Sequence, residues 1–141
     1  MTGATPALEV DARIRRGTLD LSVACAVRPG RALAVLGPNG VGKTSLLRAV
    51  AGLDAVASGH VRCAGRVWDD AATGTFVPPE RRRVGVVFQD HRLFGHLSVR
   101  QNVAFGPSAR GAGRRAAEAR ADAVLAALGI EPGDGPQQRG L

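Results

Sequence analysis

Apolar and polar side chains alternate along residues 8–15. They do so more cleanly after Gly17, where Leu19, Leu21, Val23, Cys25 and Val27 share one face and Asp20 and Ser22 the other. A period of two predicts two strands, each with one buried side. Pro29-Gly30 marks a turn, and residues 32–36 are then continuously apolar, the pattern of a strand covered on both faces. A glycine-rich stretch follows. After it, Leu46, Leu47, Ala49 and Val50 fall at helical spacing up to Gly52, which suits a C-terminal cap.

Residues 59–68 read as a hairpin about Ala64-Gly65, residues 69–83 as a polar, proline-marked loop, and residues 84–88 (VGVVF) as another short buried strand. Ser98 is placed to cap a helical turn carrying Val99 and Val103. A longer helix is predicted from about Arg114 to Leu128, with Ala117, Ala121, Val124, Leu125 and Leu128 facing inward and a stop at Gly129. The tail EPGDGPQQRGL, residues 131–141, reads as unstructured, and no internal repeat is visible.

Composition narrows this picture. A length of 141 residues gives one domain or part of one. The net charge of +7 would suit a nucleic acid, but Tyr is absent and no Phe or Trp precedes Trp68. Platforms for base stacking are therefore scarce, and no nucleic-acid partner is expected. The surplus arginine, including Arg81, Arg82 and Arg83, reads as solvated surface. Cys25 and Cys63 lack metal-ligand spacing and read as reduced, partly buried thiols. The first residues lack the layout of a signal peptide, and no run of eighteen apolar residues occurs. The expectation is a cytoplasmic chain that reaches a membrane only through a partner.

Of the nineteen basic side chains eighteen are arginine, and the one lysine, Lys43, sits in GPNGVGKTS, residues 37–45. That string fits G-x-x-x-x-G-K-[ST] through Gly37, Gly42, Lys43 and Thr44. A phosphate tail needs many donors and little bulk. Gly37, Gly40 and Gly42 let the backbone turn tightly and aim successive N–H groups into one concavity, with Pro38, Asn39 and Val41 completing the loop. The following helix adds its N-terminal partial charge. Lys43 is expected to bridge the β- and γ-phosphates, Thr44 to ligate Mg²⁺, and Ser45 to donate to a phosphate. The fold implied is α/β, of the P-loop NTPase kind. The loop alone does not select among kinases, GTPases, motor proteins and transport ATPases.

A second block does select. VGVVFQDHRLFGHLSVRQNVAFG, residues 84–106, resembles the glutamine-loop region of ATP-binding-cassette (ABC) transporter ATPases. The resemblance implies that Gln89 contacts Mg²⁺ and the attacking water, with Lys43 and Gln89 the catalytic pair and Thr44 and Gln89 the metal contacts. It implies a transmembrane permease meeting the surface from Leu93 to Asn102, a second ATPase subunit as homodimer partner, and a place on the inner face of the cell membrane. It also implies an N-terminal antiparallel β part and a helical subdomain beginning within residues 98–130. A finer likeness runs through residues 65–99 and again at LAALGIEP, residues 125–132. These resemble the ATP-binding subunits of molybdate importers, while the wider group importing sulfate, polyamines, sugars or iron shares much of residues 84–106.

The resemblance covers roughly residues 8–132, and the family's LSGGQ signature, catalytic Asp-Glu strand and switch histidine are not present. The chain is thus expected to be an incomplete domain with uncovered apolar surface, binding ATP but hydrolysing it negligibly by itself. Residues 8–14 offer no aromatic side chain for the base, so base contact is expected near Val10 or Ile14, with weak discrimination of ATP from GTP. Gly95 stands where the molybdate-type pattern has Pro. A small nucleotide kinase would explain residues 37–44 but not residues 84–106.

Overall fold

A computed structural model of the chain describes residues 5–90 and 92–131. The chain divides into two compact units, Met1–Val86 and Val87–Leu141.

The first unit is built on a five-stranded antiparallel sheet. β1 (Leu8–Arg16) and β2 (Leu19–Val27) form the hairpin that their alternation predicts. β3 (Ser58–Cys63) and β4 (Arg66–Asp70) form a second, turning at Ala64-Gly65 with φ of 47° and 77°. Positive φ at both central positions gives the sense of turn that matches strand twist. β5 (Thr75–Phe76) adds a short edge, giving the order β2-β1-β3-β4-β5. β1 is an interior strand, paired antiparallel with β2 and β3, and its inward residues Val10, Ala12 and Ile14 are buried.

α1 (Lys43–Ala51) lays Leu46 and Ala49 on that face, closing a core with Val56 and Val61. Each large aliphatic side chain buried there is worth about 1.5–3 kcal/mol. α1 ends at Gly52 in the left-handed conformation, and the N–H groups of Gly52 and Leu53 bond back into its last turn.

In the second unit, α2 (Val99–Ala109) starts with a reciprocal capping box. The Ser98 hydroxyl accepts from Gln101 N–H at 3.2 Å, and the Gln101 side chain accepts from Ser98 N–H at 2.9 Å. Such a cap contributes about 1 kcal/mol. α3 (Arg114–Ala127) packs on α2 through the small residues Ala104, Ala117 and Ala121, and Arg100 forms a forked pair with Asp122.

Several sequence-based expectations fail here, each for a packing reason. Residues 32–36 and 84–88 form no ladder, and Leu36 and Val87 are 89% and 91% exposed. A strand of the doubly covered kind needs neighbours on both edges, and among the described residues none pairs with either segment. Residues 69–83 are not all loop, since they contain the end of β4, all of β5 and a 3-10 turn at Pro79–Arg81. Val124 and Leu128 face outward, because α3 meets a partner only along the narrow stripe Ala117, Ala121 and Leu125. From residue 132 onward the predicted tail lies outside the described residues.

Candidate functional site

Residues 37–42 carry the chain from the apolar segment into α1. Gly37, Gly40 and Gly42 have φ of 155°, 83° and 106°. Residues 38–41 close as a turn, with Val41 N–H 3.5 Å from the Pro38 carbonyl. A side chain at Gly42 would also collide with β2, since a Cβ there would stand 2.8 Å from Leu21 Cδ2 and 3.2 Å from Leu19 Cδ2. Those leucine ends are flexible, so it is the φ of 106° that demands a glycine here.

The first backbone bond of α1 runs from Leu46 N–H to the Gly42 carbonyl at 2.9 Å. The N–H groups of Lys43, Thr44 and Ser45 therefore have no partner within the helix. No acidic side chain occupies the first turn. Lys43 curls back over the loop, its Nζ donating to the carbonyls of Gly37 at 2.7 Å and Pro38 at 2.8 Å. The result is a rim of amide donors, a helix N-terminus and an ammonium. It can bind a polyanion and little else. Gly37, Gly40, Gly42, Lys43, Thr44 and Ser45 are gathered on this one rim, with Thr44 exposed and Ser45 buried.

Beside the rim lies an apolar cleft of about 330 Å³, walled by Leu21, Val23, Leu33, Val35, Val41 and Leu46 among others. Gly42 and Lys43 reach its edge, but the rest of the lining is almost wholly aliphatic and offers nothing to a phosphate, which fits a packing gap beside residues 33–36. Val10 and Ile14 are each 1% exposed and cannot touch a base. The expected base contact through those side chains is therefore overturned, since they point into the core that the sheet shares with α1.

Gln89 belongs to the second unit, exposed in a turn with Asp90. Around it, Arg92 lies over the Phe88 ring at 4.6 Å and pairs with Asp90 at 3.2 Å. Leu93, Phe94 and Phe105 are exposed, and the two phenylalanine rings sit 4.5 Å apart. Asn102 accounts for the shape of this segment, bonding Phe94, Leu97 and Ser98 through its side chain.

Arg82 departs from its expected role as solvated surface. It is 2% exposed, and its guanidinium donates to the carbonyls of Ala49 (2.7 Å), Val50 (2.9 Å), Val77 (2.7 Å) and Trp68 (3.2 Å). Asp69 lies 3.9 Å away and accepts from Val56 N–H at 3.1 Å. Burial lowers the Arg82 pKa and raises that of the Asp69 carboxyl, and each opposes the other's shift. Three successive arginines look alike in sequence. The one available signal is that Arg82 is in phase with Val84 and Val86 on an extended segment.

Among the described residues no group of three His, Cys, Asp or Glu side chains could hold a metal ion. Mg²⁺ takes oxygen ligands, many of them from a nucleotide's own phosphates, and the exposed Thr44 hydroxyl is an oxygen donor of that kind on the rim.

Comparison with known proteins agrees with this geometry. Residues 21–139 match the family described as ABC transporter. The molybdenum import ATP-binding protein ModC of Paramagnetospirillum magneticum is 44% identical over 124 residues, covering 88% of this chain and 33% of that protein. The spermidine/putrescine import ATP-binding protein PotA of Pseudomonas fluorescens is 45% identical over 97 residues, covering 69% of this chain and 25% of that protein. Among solved structures, cbiO1 from Clostridium perfringens, part of the ABC transporter complex cbiONQ, superposes with a TM-score of 0.69 at 28% identity. That superposition covers 90% of this chain and 52% of that one. The chain spans about a third of the length of the ModC relatives it matches. Among the described residues no helix is long and apolar enough to cross a membrane.

Proposed function

The chain belongs to the ABC transporter family, and we propose on that footing that it is the ATP-binding part of an importer's ATPase subunit, with molybdate as the cargo. The observation that carries the proposal is the rim at residues 37–45: three amide donors without helical partners and a lysine resting on loop carbonyls. Binding lets Lys43 exchange the carbonyls of Gly37 and Pro38 for β- and γ-phosphate oxygens, a stronger charge-assisted pairing. The backbone N–H groups of Lys43, Thr44 and Ser45 take further phosphate oxygens, and Pro38, Asn39 and Val41 shape the loop. Thr44 and Gln89 are the residues that would hold Mg²⁺, which when bound would supply positive charge to the phosphates. Gln89 also orients the attacking water through its neutral amide.

In this reading residues 37–45 are the phosphate loop, residues 84–106 the glutamine-loop region and residues 98–130 part of a helical subdomain. The surface from Leu93 to Asn102, where Phe94 stands exposed, meets a transmembrane permease at the inner face of the membrane. A second copy completes the hydrolytic site. The 141 residues by themselves bind ATP without appreciable turnover, because they include neither a signature motif nor a carboxylate on a catalytic Asp-Glu strand. The molybdate assignment is supported by the ModC likeness and by residues 65–99. A polyamine importer is the second reading, favoured by the likeness to PotA.

Calorimetric titration with Mg·ATP tests the central point. The wild-type chain should give a saturable heat that Lys43→Ala reduces at least about 100-fold in affinity, roughly the worth of a strong charge-assisted contact. Absence of binding by folded wild type would refute it. Cargo is tested by deleting the encoding gene: loss of molybdate uptake supports the assignment, and loss of spermidine uptake transfers it to the second reading.

A further inference from the structure

α1 is nine residues long, so its two ends lie roughly 13 Å apart. A helix this short is marginal without tertiary support. Its N-terminal end carries the rim of amide donors, and its C-terminal end is where Arg82 is bound. The guanidinium collects carbonyls from three places: Ala49 and Val50 in the last turn of α1, Trp68 on β4, and Val77 beyond β5. The rings of Trp68 and Phe76 flank it, at 5.5 and 5.3 Å from its central carbon. A cation here also faces the negative pole of the helix.

Room for this side chain is built in. A Cβ on Gly52 would stand 2.6 Å from Arg82 Nε, so the residue that caps α1 must also lack a side chain. Burying an ion where an apolar side chain could pack rarely adds stability, whereas a fixed fork of donors does specify geometry.

We propose that Arg82 is a positioning residue for nucleotide binding: it fastens the far end of α1 to β4 and the segment after β5, so that the loop and Lys43 at the near end stay in place when phosphate arrives. The proposal rests on the reading of residues 37–45 as a nucleotide site. Lysine is no substitute, since one ammonium cannot span four carbonyls on three elements.

The test is calorimetry with Mg·ATP on the full chain for wild type, Arg82→Lys, Arg82→Met and Val61→Ala, below each protein's melting temperature. Val61 is buried in the same unit and serves as a control for lost stability. A contact that only stabilises the fold lowers the stoichiometry and leaves the Kd of the folded fraction unchanged. The expected result is a Kd raised at least about tenfold in Arg82→Met, a smaller rise in Arg82→Lys, and a wild-type Kd in Val61→Ala. Unchanged Kd in both Arg82 variants overturns the proposal while leaving the nucleotide site standing. Should the variants not fold, hydrogen exchange on the wild type decides. Coupling is reciprocal, so Mg·ATP must slow exchange at the Gly52 and Leu53 N–H groups at the far end of α1. Unaltered exchange there overturns the proposal, and no ATP binding by folded wild type overturns both readings together.

Discussion

Asn102 holds Phe94 by both of its backbone polar groups, its Oδ1 accepting from Phe94 N–H at 2.9 Å and its Nδ2 donating to the Phe94 carbonyl at 3.2 Å. The same Nδ2 lies within bonding distance of the carbonyls of Leu97 (3.2 Å) and Ser98 (3.1 Å). One amide therefore shapes the whole turn ahead of α2 and sets where the exposed Phe94 ring stands.

Asn102→Ala should destabilise the second unit by about 1–3 kcal/mol, the usual cost of stranding partly buried partners. Asn102→Asp should do at least as much harm at neutral pH, because an anion would face three carbonyl oxygens in place of a donor. Thermal melts compare the two variants, and exchange at the Phe94 amide should accelerate in Asn102→Ala, which alone removes its acceptor. An aspartate variant as stable as wild type would contradict this assignment of the amide.

Gly42→Ala tests the loop rather than the lysine. Leu21 and Leu19 meet the new Cβ with flexible side-chain ends and yield cheaply, but a φ of 106° does not suit an alanine. The strain of about 1–3 kcal/mol should appear as lost stability. It should also weaken Mg·ATP binding by at least about tenfold, because relaxing φ re-aims the N–H groups that follow. Wild-type affinity in this variant would show that the donor array is not what holds the phosphate.

Acid should unmask the pair formed by Arg48 and Asp54, whose forked bonds measure 2.7 and 2.9 Å. The Arg48 hydrogen bond holds the Asp54 carboxyl below its ordinary range, with Arg48 and Arg16 charges adding to the effect. A depressed folded pKa means stability present above the unfolded value, about 3.9 for aspartate, and lost as pH falls through the folded one. Asp69 has the opposite sign. Burial raises its pKa, so its contribution declines as pH rises from about 3.9 towards its folded value. Urea melts should show Asp54→Asn less stable than wild type at pH 7, with the gap closing below about pH 3.9. A gap that stays constant with pH would rule out the ion pair as its source.

Local chemistry by itself determined much of this protein. Alternation marked β1 and β2 because successive side chains of a strand face opposite ways. Ser98 and Gly129 marked helix ends because those backbone groups need a cap or a left-handed residue. The string at residues 37–45 pointed to a phosphate site because glycines, a lysine and a threonine in that order have few other uses. All of these depend on neighbours within a few positions. Whether residues 32–36 and 84–88 become strands depends instead on partners distant in sequence, and apolar content alone could not supply them. Whether Val10 and Ile14 were reachable depended on which face of β1 α1 came to cover. Which of Arg81, Arg82 and Arg83 turned inward was likewise decided by the fold. Only the converging carbonyls of α1, β4 and the segment after β5 could replace the water a buried guanidinium gives up.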